Sequence, residues 1–531
     1  MENLMPLLVA VPLAGGFLMP LVGRLTGPRR AAAILPIVKA AGILVLAIGL
    51  VARPDETFTY WMGAWRFPIG ISLVADGLSK LVLLVIAVIS LLALVFSMDY
   101  MTRYTSPGLY YSLFMLMLAG MNGVVLAGDL FNLFVFLEIA SIASYALVAF
   151  GTEADELEAS FKYLVLGAIA SVFVLVGIAI VYNVTGHLNL AKIAEVLRAG
   201  GGLTVPLYLA AAFFLMGFGL KAAMVPFHAW LPDAHPSAPA PISAMLSGVL
   251  IKACGVYVLC RLVFSVFGNH EAFGVILVVM GTLSMVLGAL MAIGQKDLKR
   301  LLAYSSISQV GYVVTAIGAG VVSFAWSTSE PALAAVAALA LFGGFFHLVN
   351  HAIFKSLLFL CSGSVEHATG TRLLARLGGL GQRMPVTGWS LRAGALAISG
   401  VPPFGGFWSK LIIIVALVQV AALGHWAFYV PAVLAVAVAV VTLVYYAKVQ
   451  RWVLGGEPSA ATADAREAPL GMTVAMALLA VLSLASAAII HPAVKQRLID
   501  PATKVLTAQG AEASEVGVPA AALTEAADRR E

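Results

Sequence analysis

Seven titratable side chains stand inside long apolar stretches of this chain: Glu138, Lys221, Lys252, His347, His351, Lys355 and Lys410. A charge at the centre of a bilayer costs roughly 2.5–3.5 kcal/mol on insertion scales, so such residues are expected to work or to be paired. Their types suit proton transfer. A carboxylate exchanges a proton, an imidazole relays one near neutral pH, and a lysine holds its proton more tightly when an acid approaches. Arginine could not alternate in this way, because it stays protonated. Two further basic residues in apolar stretches, Lys39 and Arg392, are less central and are expected to snorkel.

The spacing around each group predicts its setting. Glu138 falls about nine residues into its stretch, roughly 13–14 Å at 1.5 Å per residue and close to the middle of a ~30 Å hydrocarbon core. Ser141 and Tyr145 follow at i+3 and i+7, placing the acid on a polar helical stripe. A structural ion pair joining two helices is the plainer alternative. Lys221, in Gly219-Leu220-Lys221-Ala222-Ala223, precedes the proline-studded Val225–Pro236 stretch, and Lys252 lies in the next apolar run. Lys410 follows a second interruption, Gly400-Val401-Pro402-Pro403-Phe404-Gly405-Gly406. Broken helices at membrane depth are tolerated where they line a cavity, and two of them in corresponding halves point to inverted repeats. Lys221 and Lys410 are therefore expected to mark two half-channels.

His347, His351 and Lys355 recur every four residues and share one helical face, a proton-relay arrangement. Metal binding competes, but no carboxylate or thiol lies at ligand spacing, so no metal or other cofactor is expected. Ser305, Ser308, Gln309 and Tyr312 form a second polar face, read either as the wall of a hydrated path or as ordinary helix–helix hydrogen bonding.

The elements that must hold these groups follow from composition. Of 531 residues, 61% are hydrophobic and only 11% charged, against roughly 25% charged in soluble domains. Apolar runs near twenty residues recur throughout, which predicts an all-α polytopic membrane protein rather than a barrel. The net charge of +5 is spread over short loops and is no nucleic-acid signature. Residues 1–21 lack a basic n-region and read as a first span rather than a cleavable signal. Cys254, Cys260 and Cys361 form no Cys-x-x-Cys pair, which leaves disulfides, zinc and iron–sulfur clusters unsupported.

About fourteen spans are predicted: 3–22, 31–52, 77–97, 109–127, 129–150, 160–184, 205–227, 240–262, 272–293, 301–321, 332–362, 386–422, 429–448 and 470–490. The 332–362 run is too long for one straight span. Residues 1–490 read as one transmembrane domain with core repeats over about 109–448, and 491–531 as a polar tail. On one side fall Arg24, Arg29, Arg30, Arg103, Lys162, Lys296, Lys299, Arg300, Arg372, Arg376, Arg383, Lys448, Arg451 and Arg466. On the other fall Arg53, Arg66, Lys80, Lys192, Arg198 and Arg261, with the tail. The positive-inside rule makes the first side cytoplasmic and the N-terminus external. Glu138 is left as the one deep acid. Residues 55–74 read as an interfacial stretch, and 187–200 as a short surface helix.

Five blocks carry a resemblance: Gly128–Glu138, Lys221 with His228–Ala234, Ser243–Gly248, Asp297–Gln309 and His351–Phe359. Through them the chain resembles the antiporter-like family of Mrp cation/proton antiporter subunits, complex I proton-pumping subunits and membrane-bound hydrogenase homologues. The runs Phe67–Asp76 and Phe131–Glu138 look most like the Mrp D type, whereas Val225–Gly248 and Gly405–Lys410 look closer to the hydrogenase and complex I types. The resemblance implies fourteen helices with two inverted five-helix repeats and two broken helices. It also implies a coupling pair Glu138/Lys221, a relay through Lys252, His347 and His351, and a path ending at Lys410. It further implies partner membrane subunits, a bacterial or archaeal cell membrane, and H⁺ with or without Na⁺ or K⁺ as cargo.

Three functions of different class compete. The first is a proton-translocating subunit of an antiporter, or of a redox-driven complex such as an NADH dehydrogenase or hydrogenase. The second is a redox enzyme in its own right, for which the sequence holds no nucleotide loop, cluster cysteines or haem motif. The third is an inert membrane anchor, against which the retained charges speak.

Overall fold

The computed structural model describes residues 1–25, 31–200 and 202–507. Among the described residues thirteen helices are long and apolar enough to cross a membrane, and the shorter apolar helix Val205–Lys221 supplies a fourteenth crossing segment. In order these are α1 (Leu7–Leu25), α2 (Ile34–Val51), α3 (Gly77–Tyr100), α4 (Pro107–Leu126), α5 (Leu130–Val148) and α6 (Ala154–Thr185). After the short α7 (Leu190–Ala199) come α8 (Val205–Lys221), the short α9 (Leu231–Ser237) and α10, a continuous helical run over Ala240–Val266. Then follow α11 (Glu271–Ile293), α12 (Leu298–Trp326), α13 (Ala332–Thr369), the half-helices α14 (Pro385–Ser399) and α15 (Gly405–Ala422), α16 (Tyr429–Val453) and α17 (Leu470–Ala485).

Three details of the connections establish the internal repeat. Asp129 caps α5 by accepting from Asn132 N, and Asp297 caps α12 by accepting from Arg300 N. Leu130 N donates to Leu188 O and Leu190 N to Gly128 O; correspondingly, Leu298 N donates to Arg372 O and Leu374 N to Lys296 O. The helices closing each unit, α6 and α13, both end on a left-handed glycine, Gly186 at φ +70 and Gly370 at φ +69. Five crossings separate the start of α5 from the start of α12, so the two clasps lie on opposite faces of the membrane. The repeats are inverted.

The structure departs from the sequence reading at several places. The 332–362 run lies within one unbroken 38-residue helix, Ala332–Thr369, about 57 Å long at 1.5 Å per residue. It is uninterrupted because no proline stands inside it, and it therefore extends past a ~30 Å core. Residues 58–75 contain an antiparallel hairpin, β1 (Phe58–Trp61) with β2 (Ser72–Ala75), in register Phe58↔Ala75 to Trp61↔Ser72. Gly128 N donates to Ser72 O, pinning the hairpin to the α4–α5 link. Residues after His491 form α18 (Pro492–Leu498) and α19 (Asp500–Thr507), and α19 packs back on α3 with Pro501 against Gly77. The expected polar tail beyond Thr507, the basic residues Arg29 and Arg30 and the side chain of Arg24 lie outside the described residues.

The most extensive helix–helix contact is between α11 and α12. A Cβ on Gly281 would sit 2.5 Å from Thr315 N, one on Gly288 2.5 Å from Ser308 N, and one on Gly318 2.6 Å from Val278 N. Within hydrocarbon no hydrophobic force drives helices together, so close backbone approach through small residues supplies the packing energy instead.

Candidate functional site

The break after α8 is built by the residues around Lys221. The helix stops at Lys221, and Ala223 adopts φ +55, a conformation that non-glycine residues hold only when their surroundings impose it. The carbonyls freed at a helix end need partners. Trp230 Nε1 donates to Leu220 O at 2.9 Å, its ring stacked on Tyr163 at 4.1 Å, and Val225 N donates to Ser284 Oγ at 2.9 Å.

Into this break α5 brings Glu138. Its Oε1 lies 3.9 Å from Lys221 Nζ and accepts from Ser171 Oγ of α6. Lys221 Nζ donates to Ser141 Oγ at 2.9 Å and to Tyr145 Oη at 3.2 Å. The stripe Glu138/Ser141/Tyr145 thus faces one ammonium. The lysine side chain is 4% exposed and the glutamate 28%, so the acid occupies the outer edge of the pair.

Lys252 lies in a stretch of α10 wound partly as π-helix, Leu246–Leu250 and Lys252–Val256. Such wide turns leave carbonyls available and occur often at functional sites. Lys252 Nζ takes one of them, Ser247 O, at 2.6 Å. Gly248 lets this turn lie directly on the Ala352–Ser356 turn of α13, which brings Lys252 beside the His351/Lys355 segment.

Along α13 the two imidazole rings lie parallel, 6.5 Å between centroids. His347 shares hydrogen bonds with Ser409 Oγ at 2.9 Å and Gln309 Oε1 at 3.1 Å, whereas both ring nitrogens of His351 have no partner. Lys355 Nζ donates to Leu302 O at 2.8 Å and more loosely to Tyr446 Oη at 3.4 Å. At the second break Gly400 ends α14 at φ +80, and Lys410 Nζ reaches back across the gap to Ile398 O at 2.7 Å, 5.0 Å from the Tyr312 ring centre. The two breaks are therefore not superposable in detail, since Lys221 precedes its break and Lys410 follows its own.

The second polar face divides. Gln309 joins His347, but Ser308 donates to Met285 O, Tyr312 to Ala435 O, and Ser305 pairs with Tyr445 and Tyr446. Apart from Gln309 it serves helix–helix bonding rather than a wall. Lys39 is partly exposed, and Arg392 packs over Trp389 at 4.9 Å.

Buried charges are not confined to the predicted groups. Asp76, the N-cap of α3, and Arg261, assigned above to a loop, are both buried and ion-paired, and Arg261 Nη2 also donates to Ser79 Oγ at 2.8 Å. Arg261 Nε donates to Tyr257 Oη at 3.0 Å. Burial alone would raise the Asp76 carboxyl, but the Arg261 charge and its hydrogen bond hold it below the usual carboxylate range. Lys80 is buried too, its ammonium on the carbonyls of Arg53 and Glu56. At the other membrane face Lys299, also assigned to a loop, is 1% exposed; it pairs with Glu366 at 3.3 Å and donates to Ala238 O at 2.9 Å. Asp233 of α9 bridges Lys162 at 3.2 Å and Arg300 at 3.3 Å, anchoring the half-helix after the break. Among the described residues no group of three or more His, Cys, Asp or Glu is arranged to hold a metal, and the three cysteines are buried and free.

Comparison with known proteins decides the family. Residues 127–436 match the family model described as NADH:quinone oxidoreductase/Mrp antiporter, TM, and residues 61–119 match that of the complex I chain 5 N-terminus. The chain belongs to the NADH:quinone oxidoreductase/Mrp antiporter transmembrane family. It is 35% identical to the N-type subunit of the NADH-quinone oxidoreductase of Desulforudis audaxviator, covering 88% of this chain and 89% of that one. It is 34% identical to the D-type subunit of the Na(+)/H(+) antiporter of Alkalihalophilus pseudofirmus, covering 75% and 76%. Its fold is similar to a chain of the Mrp complex from Dietzia, with a TM-score of 0.83 and 26% identity over 96% of this chain and 99% of that one.

Proposed function

We propose that this chain is a proton-translocating subunit of a multisubunit complex in a bacterial or archaeal cell membrane, of the Mrp cation/proton antiporter D type. The observation that carries the reading is the Glu138–Lys221 pair, 3.9 Å apart at the first helix break. A lysine beside a carboxylate keeps its proton; one left alone in a dry site releases it. Motion of Glu138 away from Lys221 would then pass a proton toward Lys252, His351, His347 and Lys410, with Lys355 beside the same relay. H⁺ is the cargo of this path, exchanged for Na⁺ or K⁺ elsewhere in the complex. The antiporter relative of D type and the Mrp-complex fold support this assignment.

A redox-driven complex is the second reading, favoured by the longer match to the quinone oxidoreductase relative. Purifying the native complex and identifying its components separates the two: small hydrophobic partners support the antiporter, iron–sulfur or nickel proteins the redox pump. Glu138→Ala and Lys221→Ala should abolish proton transport in membrane vesicles while the assembled complex persists. Wild-type transport by both variants would overturn the proton-path reading.

A further inference from the structure

Lys355 is fully buried, and its ammonium donates to two neutral oxygens, Leu302 O at 2.8 Å and Tyr446 Oη at 3.4 Å. The ionisable side chains near enough to act on it by charge are Lys252 of α10, Lys410 of α15, His351 of α13 and His235 of α9. All four are bases. Among the described residues no carboxylate forms an ion pair with Lys355, in contrast to Glu138 at Lys221 and Glu366 at Lys299. A lysine that passes protons must be held both as ammonium and as neutral amine. A carbonyl such as Leu302 O only accepts, whereas a phenol can accept or donate.

The hydroxyl of Tyr446 also meets Ser305 Oγ of α12 at 3.1 Å, and either oxygen can be the donor. Tyr445 Oη donates to the same Ser305 Oγ at 3.0 Å. All three side chains are fully buried. Tyr445 Oη further lies 3.5 Å from Thr442 Oγ1, which gives its own hydrogen to Val438 O at 2.7 Å. The series closes on that carbonyl and carries no proton onward, so what it serves is Lys355.

We propose that Ser305, Tyr445 and Tyr446 form a reversible cradle that holds Lys355 in both of its charge states. The inference rests on the proton-transport reading above. With Lys355 as ammonium, Tyr446 Oη accepts from Nζ and donates to Ser305 Oγ. With Lys355 as amine, the phenol hydrogen turns toward the lone pair of Nζ. Tyr446 Oη then accepts from Ser305, whose oxygen still receives the hydrogen of Tyr445. Every O–H bond survives, and only the directions of the hydrogen bonds reverse. The proton that comes and goes is the lysine's, and the three hydroxyl residues are positioning residues.

The test uses the intact complex in membrane vesicles, with assembly checked by co-purification. Infrared difference spectra between acidic and alkaline buffer should contain a tyrosine C–O band that is lost in Tyr446→Phe. The same band should be lost in Lys355→Met, where the tyrosine stays but its partner no longer titrates. No band assignable to Tyr446, or one that persists in Lys355→Met, would overturn the proposal. A tyrosine that merely fills space would give no such dependence on the lysine. Tyr446→Phe keeps the ring and should slow proton transport at least tenfold. Tyr445→Phe, one bond further from the lysine, should slow it about threefold and serves if the first change prevents assembly. A wild-type rate in either tyrosine variant would overturn the cradle as well. Lys221→Ala in the same preparation separates the two readings: wild-type transport there removes the proton path itself, whereas its loss beside a wild-type Tyr446→Phe removes only the cradle.

Discussion

Lys221 approaches Glu138 to 3.9 Å yet gives its hydrogen bonds to Ser141 and Tyr145 on the same helix as the acid. The pair is close enough to attract and not so close that the charges lock. In this arrangement the ammonium rests on the two hydroxyls while the carboxylate accepts from Ser171. Hydrogen bonds to a charged group contribute about 1.5–3 kcal/mol. The double variant Ser141→Ala/Tyr145→Phe should press the lysine onto Glu138 and slow proton transport about tenfold or more. Unchanged vesicle transport would mean the lysine does not depend on these hydroxyls.

His347, unlike His351, has a partner on each ring nitrogen, Ser409 on one side and Gln309 on the other. Replacing it with phenylalanine keeps the ring and removes both contacts. His347→Phe should lower transport at least tenfold with normal assembly. Dye-based proton flux in vesicles reads this directly, and near-normal flux would place the relay elsewhere.

The glycines between α11 and α12 set how closely these helices approach. A Cβ at Gly281 or Gly288 would meet backbone nitrogen at 2.5 Å, which only a helix shift relieves. Overpacking costs about 1–3 kcal/mol and occasionally more. Gly281→Val should lower the melting temperature of the purified complex and its yield in membranes, whereas the same change at Gly42, which has open space around it, should do neither. Equal yields and melting points would refute the tight-packing account.

Asp76 and Arg261 join the first turn of α3 to the far end of α10. Removing one partner of a buried pair leaves an uncompensated charge and costs about 3–5 kcal/mol. Because Asp76 is held below the ordinary carboxylate value in the folded chain, its contribution is complete above that value. It is lost as pH falls through the folded-state value. The melting-point gap between wild type and Asp76→Asn should therefore be wide at pH 6 and close on acidification below about pH 4. A gap that stays constant with pH would show that the carboxylate charge is not what stabilises the contact.

The sequence by itself determined the span order, the two breaks and the positions of Glu138, Lys221, Lys252, His347, His351, Lys355 and Lys410. The reason is solvent: hydrocarbon admits only long apolar runs with satisfied backbones, so each charge or proline inside one is conspicuous in one dimension. Tertiary structure alone decided which charges are buried in pairs. Lys80, Arg261 and Lys299 stand near the ends of apolar runs, where hydropathy reads them as loop residues. Asp76, 185 positions from Arg261, gives no local sign of its partner. Nor could spacing tell which way the Ser305–Tyr312 face turns, since the direction of a polar stripe depends on the helices around it. The hydroxyls around Lys355 are legible only in three dimensions, because Ser305, Tyr445 and Tyr446 arrive from two other helices.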